Sequence, residues 1–206
     1  MTSAQWEDLK NYYKDKEKPA DYPFKETPDV VPSGIPAKSL ANAALPNLYN
    51  KMQHEKAQIA IEEGEANLSA EEQKMVDLVN AERRKAGVPE LKVSPKLCEA
   101  AKIRAKEANI KYSHTRPDGT SCDTVLEDVG LDMKLLDGNQ LLTYSGNLAG
   151  SYKKNPMSAQ VAFERFMNSA SHKNNILAES NTYIGVAINY NGKQSSWIQS
   201  FCRFQY

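Results

Sequence analysis

The chain has 206 residues, 25% of them charged and 40% hydrophobic, which is enough for one substantial core with an appendage. Lys and Arg together number 26, as do Asp and Glu, so no basic field exists to gather phosphates, and nucleic acid is not an expected partner. No apolar run reaches the ~18 residues of a membrane helix, and the opening MTSAQWEDLKNYYKDKEK is charged where an export leader is apolar.

Trp6, Leu9 and Tyr13 share one helical face, so a short amphipathic helix is expected first. Six prolines between 19 and 46 follow. The stretch KPADYPFKETPDVVPSGIPAKS shows no sustained period and reads as an extended linker. From Leu48 to Glu65 helix formers return with a poor apolar stripe, which predicts a solvated lead-in helix carrying a surface His54. Residues 1–68 are therefore an N-terminal extension, and the folded domain is expected over 69–206.

Ser69-Ala-Glu-Glu72 has the form of a capping box. The helix it opens keeps Met75, Leu78, Val79 and Ala86 on one face and stops at Gly87 and Pro89. Ser94-Pro95 opens a second helix with Leu97, Ala100, Ala101, Ala105 and Ala108 on one side. A short helix is expected over Cys122 to Val129, and another from Ser158 with Phe163 and Phe166 turned inward. In TYIGVAINY the period changes to two, Asn191-Gly192 makes a hairpin turn, and SSWIQSFCRF returns with Trp197 and Phe201 toward the core. Helices early and antiparallel strands late make the fold class α+β, helices packed on a small sheet. Cys98, Cys122 and Cys202 are too irregularly spaced for a disulfide framework or a zinc motif; they form one bridge of unassigned pairing or stay as buried thiols.

Of three histidines, two lie in polar, glycine- and serine-rich segments: YSHTRPDGTSC holds His114 and FMNSASHKNNIL holds His172. Either alone reads as a loop residue. Together with NLAG (Asn147 to Gly150), YIGVAI, WIQSF and the helix phrase LVNAERRKAGVPEL, they resemble, in order and spacing, the CAP superfamily: cysteine-rich secretory, antigen 5 and pathogenesis-related proteins, here of the bacterial SCP-like type. The resemblance covers about Ser69 to Tyr206. It implies an α-β-α sandwich with a mostly antiparallel sheet and a cleft holding two histidines, at His114 and His172. It also implies an extracellular or cell-envelope location.

In that family a Gly-Glu-Asn triplet supplies an acid and some members hold zinc or another divalent ion; the corresponding residues here are Ser145-Gly146-Asn147, without the glutamate. Ser169 stands where animal members often place a second acid. Two neutral imidazoles alone make a weak zinc site. Asp118 and Asp123 are near His114 in sequence, but Asp118 in Pro-Asp-Gly reads as a turn residue. No cofactor is assured beyond a weakly bound divalent metal such as zinc at His114 and His172.

Two functions follow. One is a non-enzymatic cleft of His114, Gly146, Asn147, Ser169 and His172 that takes a lipid, glycan, peptide, small molecule or partner protein. The other is a peptidase- or esterase-type hydrolase in which Ser169, or one of Ser113, Ser145 and Ser171, works with His114 or His172. Serines in such loops more often cap turns and helices, and no G-x-S-x-G elbow is present.

Overall fold

A computed structural model of the chain describes residues 2–17, 44–132, 134–135 and 138–205. The stretch expected to be an extended linker lies outside them. The chain divides into two compact units, Met1–Gln58 with Met133–Leu141, and Ile59–Asp132 with Leu142–Tyr206.

In the first unit α1, Ser3–Tyr13, starts at a capping box: Thr2 accepts from the Gln5 amide while the Gln5 side chain takes the Thr2 amide. Its Trp6, Leu9 and Tyr13 are buried as expected, against Leu48, Tyr49 and Met52 of α2, Ala44–Glu62. The expectation of a solvated second helix is corrected here. Leu48, Met52, Ala57 and Ile61 are buried along one helical stripe; it looks poor because it is narrow and one member is an alanine. His54 is half-buried, and desolvation lowers its pKa.

The second unit begins its helices where the sequence places them. Ser69 and Glu72 complete the capping box of α3, Ala70–Ala86, and Gly87 ends it at φ 73. After the two-residue β1, Lys92–Val93, Ser94 caps α4, Pro95–Ala108, and its hydroxyl also donates to Ile61 O at 2.5 Å. A 3-10 turn, Cys122–Thr124, runs into α5, Val125–Asp128. Then come β2, Leu142–Tyr152, and α6, Ala159–Met167, capped by Ser158. Helix α7, Ala170–Leu177, precedes β3, Tyr183–Tyr190, and β4, Gln194–Phe204. The hairpin loop closes as Asn191 accepts from the Lys193 and Gln194 amides with Gly192 at φ 89.

The four strands lie in the order β1-β3-β4-β2, with β1 parallel to β3 and the other pairs antiparallel. Alternate side chains leave the sheet on opposite faces. Ile184, Val186, Trp197 and Phe201 pack with α3, α6 and α7. Tyr183, Ala187, Ile198 and Cys202 pack with α4 and α5. This is the expected α-β-α sandwich. Trp197 and Phe201 are both wholly buried. The alternation in YIGVAINY is one of size rather than polarity, because helices cover both faces. All three cysteines are free thiols; burial pushes each pKa up, Cys202 to about 12, so none is a ready thiolate.

Candidate functional site

His114 lies in the exposed loop after α4, and a charged network under that loop holds it. Arg104, buried on α4, donates to Ser113 O at 2.9 Å and His114 O at 3.3 Å and pairs with Glu107 one turn on. Arg116, two residues past His114, reaches Glu107 at 2.7 Å and Asp128 on α5 at 2.5 Å. Its hydrogen bond to Glu107, more than that to Asp128, holds the guanidinium well above its ordinary range against burial. None of these four charges was singled out from sequence, although Arg116 belongs to the SHTRPDG phrase that was.

His172 is not in a loop. It sits in the first turn of α7, half-buried, its ring edge-on to Phe166 at 5.4 Å. Burial lowers its pKa, and the charge of His114 lowers it further. The two imidazoles are thus in electrostatic reach of each other.

Asn147 ties this helix to the sheet. Its Nδ2 donates to His172 O at 3.0 Å and Gln199 Oε1 at 2.8 Å, while its Oδ1 accepts from Asn175 at 2.9 Å. With 1% exposure the amide is spent on positioning α7. Asn175, unnoticed in the sequence, completes the pair.

His114, Gly146 and Asn147 line one small cavity together with Arg104, Cys122 and Tyr144, with room for about one water molecule. Tyr144 reaches along β2 to Ser200 Oγ at 3.1 Å, and its hydroxyl stands 3.0 Å from where a Cβ on Gly146 would be. Ser169 and Ser171 pair with each other at 3.2 Å, and Ser113 accepts from the Thr115 amide at 3.0 Å. Among the described residues no serine hydroxyl is hydrogen-bonded to either imidazole. Asp118 closes a turn by accepting from the Thr120 amide at 2.9 Å and hydroxyl at 2.7 Å, and these bonds lower its pKa. A larger open groove of about 610 Å³ lies elsewhere in this unit, between the N-terminal ends of α3 and α6; Met157, Ile188 and Tyr190 make it mostly apolar.

The family model of CAP, the cysteine-rich secretory protein family, matches residues 76–201. The chain belongs to the CAP family. It is 30% identical over 138 residues to protein YkwD of Bacillus subtilis, a match that covers 66% of this chain and 48% of that one. A crystal structure of an extracellular, SCP-domain protein from Bacillus anthracis aligns with TM-score 0.53 at 24% identity, over 65% of this chain and 40% of that one. An outer surface protein of Borrelia burgdorferi aligns with TM-score 0.53 at 17% identity, over 69% and 99%. The chain thus spans about half or less of the two Bacillus proteins, and the structural likenesses carry the fold.

A divalent ion, which the CAP resemblance implies for some members, does not fit the residues present. Among the described residues no group of three or more His, Cys, Asp or Glu side chains converges, whereas zinc sites take at least three protein ligands. At the position of the family's glutamate, Tyr144 fills the adjoining space, and Gly146 is outside the positive-φ set, so the side chain is limited by Tyr144 and not by the backbone. Among the described residues no helix is long and apolar enough to cross a membrane.

Proposed function

We propose that this CAP domain is a non-enzymatic binding module, secreted or held at the cell envelope, that takes its ligand in the cleft between His114 and His172. The observation that carries the reading is the division of labour around the two rings. Arg104, Glu107, Arg116 and Asp128 fix the His114 loop, and Asn147 and Asn175 fix α7. Among the described residues no carboxylate or serine is hydrogen-bonded to the His114 or His172 imidazole, so the elements of general-base activation are not assembled around these two rings. Such a cleft offers imidazole and main-chain contacts without a nucleophile. The extracellular location is supported by the Bacillus and Borrelia neighbours, described as extracellular and outer surface proteins. Lipid, glycan, peptide and partner protein are the ligand classes in play.

Native mass spectrometry of the protein as purified, followed by titration of each ligand class into the parent, His114→Ala and His172→Ala, tests this. A ligand whose affinity falls at least about tenfold in either variant supports the cleft. Histidine-dependent turnover of a generic ester or peptide would replace the binding module with a hydrolase.

A further inference from the structure

Strand β2 closes the sheet order and, among the described residues, has a strand neighbour on one side only. The ladder decides which of its main-chain groups are left over. Asn191 N–H donates to Gln194 O and Thr182 N–H to Cys202 O, so the even residues of β4 turn toward β3. The odd residues of β4 then bond to β2, where their partners are Thr143, Ser145, Asn147, Ala149 and Ser151. Tyr144, Gly146, Leu148, Gly150 and Tyr152 therefore direct their N–H and C=O away from the sheet. Two side chains agree with this parity: Tyr112 donates to Leu148 O at 3.4 Å and Arg165 to Gly150 O at 2.8 Å.

Those two contacts cover the edge at 148 and 150, as sheet edges commonly are covered. At Tyr144 and Gly146 no hydrogen bond from the described residues reaches the outward main chain. Both residues line the cavity beside His114, and the side chain of Asn147 holds His172 O. The uncovered part of the edge therefore borders the cavity beside His114, next to the residue that holds α7.

We propose that the ligand of this cleft is an extended polypeptide, which pairs with β2 as an added strand through the N–H and C=O of Gly146. The inference rests on the cleft being a binding site and names what it binds. A donor and an acceptor repeated at every second residue, about 7 Å apart, match the main chain of another strand. Neither a sugar nor an acyl chain carries that repeat. The residue opposite Gly146 sends its side chain to the α4 face, toward His114, and its two neighbours send theirs to the face where α7 carries His172. Because the cavity beside His114 holds about one water, that central side chain is small: glycine, alanine or serine. A glycine at 146 suits the close approach of a second main chain.

The test titrates a pool of acetylated, amidated heptapeptides with a central alanine into the ¹⁵N-labelled full chain, then N-methylates the tightest binder at each position in turn. The amides of Gly146 and Leu148 are expected to shift on binding. Methylation at alternate positions, whose N–H groups face β2, weakens binding about tenfold, and at the intervening positions less than about twofold. Equal tolerance at all positions, or binding that leaves those amides in place, overturns the proposal. Phosphatidylglycerol vesicles and a chitin oligosaccharide in the same titration separate the two levels. Shifts at His114 and His172 with either of these but not with peptides discard the strand and keep the cleft. No shift with any probe discards both. A shift at Gly146 that grows with protein concentration alone, with a dimer in sedimentation, overturns the proposal in favour of a second copy.

Discussion

Arg83 is wholly buried, and its guanidinium is met by main-chain carbonyls: Pro89 at 2.6 Å, Ile176 at 2.7 Å, Ala178 at 2.9 Å and Asn181 at 3.3 Å. Burial lowers its pKa. Ile176 belongs to the last turn of α7, whose carbonyls have no partner within the helix, so Arg83 caps α7 from α3. Arg83→Met keeps the bulk and orphans those acceptors. It is expected to cost about 3 kcal/mol or more in urea unfolding; a loss under about 1 kcal/mol would mean that water replaces the guanidinium. At the far end of α7, His172 makes stability depend on pH. Its native pKa lies below the ordinary 6.5, through burial and then through the charge of His114. As pH falls through that ordinary value the unfolded chain takes the proton first, so stability rises with pH across the window just below 6.5. The contribution is complete above the window and lost as pH drops toward the native value. His172→Gln should flatten the change in unfolding midpoint between about pH 7.5 and about pH 5. An unchanged slope would assign it elsewhere, His54 being shifted in the same direction.

Helix α4 lies directly on the sheet because Gly185 has no side chain. A Cβ there would fall 2.1 Å from the Leu97 carbonyl carbon and 2.4 Å from the Cys98 nitrogen, both main chain. Gly185→Ala must push the helix off β3, and a loss at or above about 3 kcal/mol is expected. Gly150→Ala meets the ring of Tyr112 at 2.5 Å. Tyr112 is exposed and can swing away, so a loss under about 1 kcal/mol is expected. Equal losses in the two variants would refute the close-approach argument. The same elements show what a sequence discloses. Ser69, Ser94, Ser158 and Gly87 were legible because a cap acts within four residues of itself. LTYSGNLAGSY was not, since its glycines, serines and asparagine have low strand propensity. Its eleven registers with β4 make it a strand. ASHKNNIL likewise buries only Ile176 and is helical because Arg83 and Asn181 take its terminal carbonyls. The two histidines were found through the phrases around them, whereas the charges that hold His114 come from separate segments, 104–107, 116 and 128, and no local pattern joins them.

At the scale of the whole chain, among the described residues the apolar clusters of the second unit draw on none before Ala60. The first unit has its own small core, in which α1 buries Leu48, Tyr49 and Met52. The six buried residues described there, on two helices, are too few to be stable far from other support. The CAP fold should therefore survive loss of the first 43 residues, while the exposed face of α2 left behind should make that variant sticky. The prediction is that deleting 1–43 leaves the main thermal transition within about 4 °C of the parent's, equivalent to under about 1 kcal/mol. Hydrophobic-dye binding should rise, because Leu48 and Met52 lose the cover of Trp6 and Leu9. Amide exchange separates this from a shared core. Protection at Val186, Trp197 and Phe201 should match the parent's, and only the N-terminal half of α2 should exchange faster. Loss of protection across the sheet would place the first 43 residues inside the folding unit of the CAP domain and move its boundary from Ser69 toward the N-terminus.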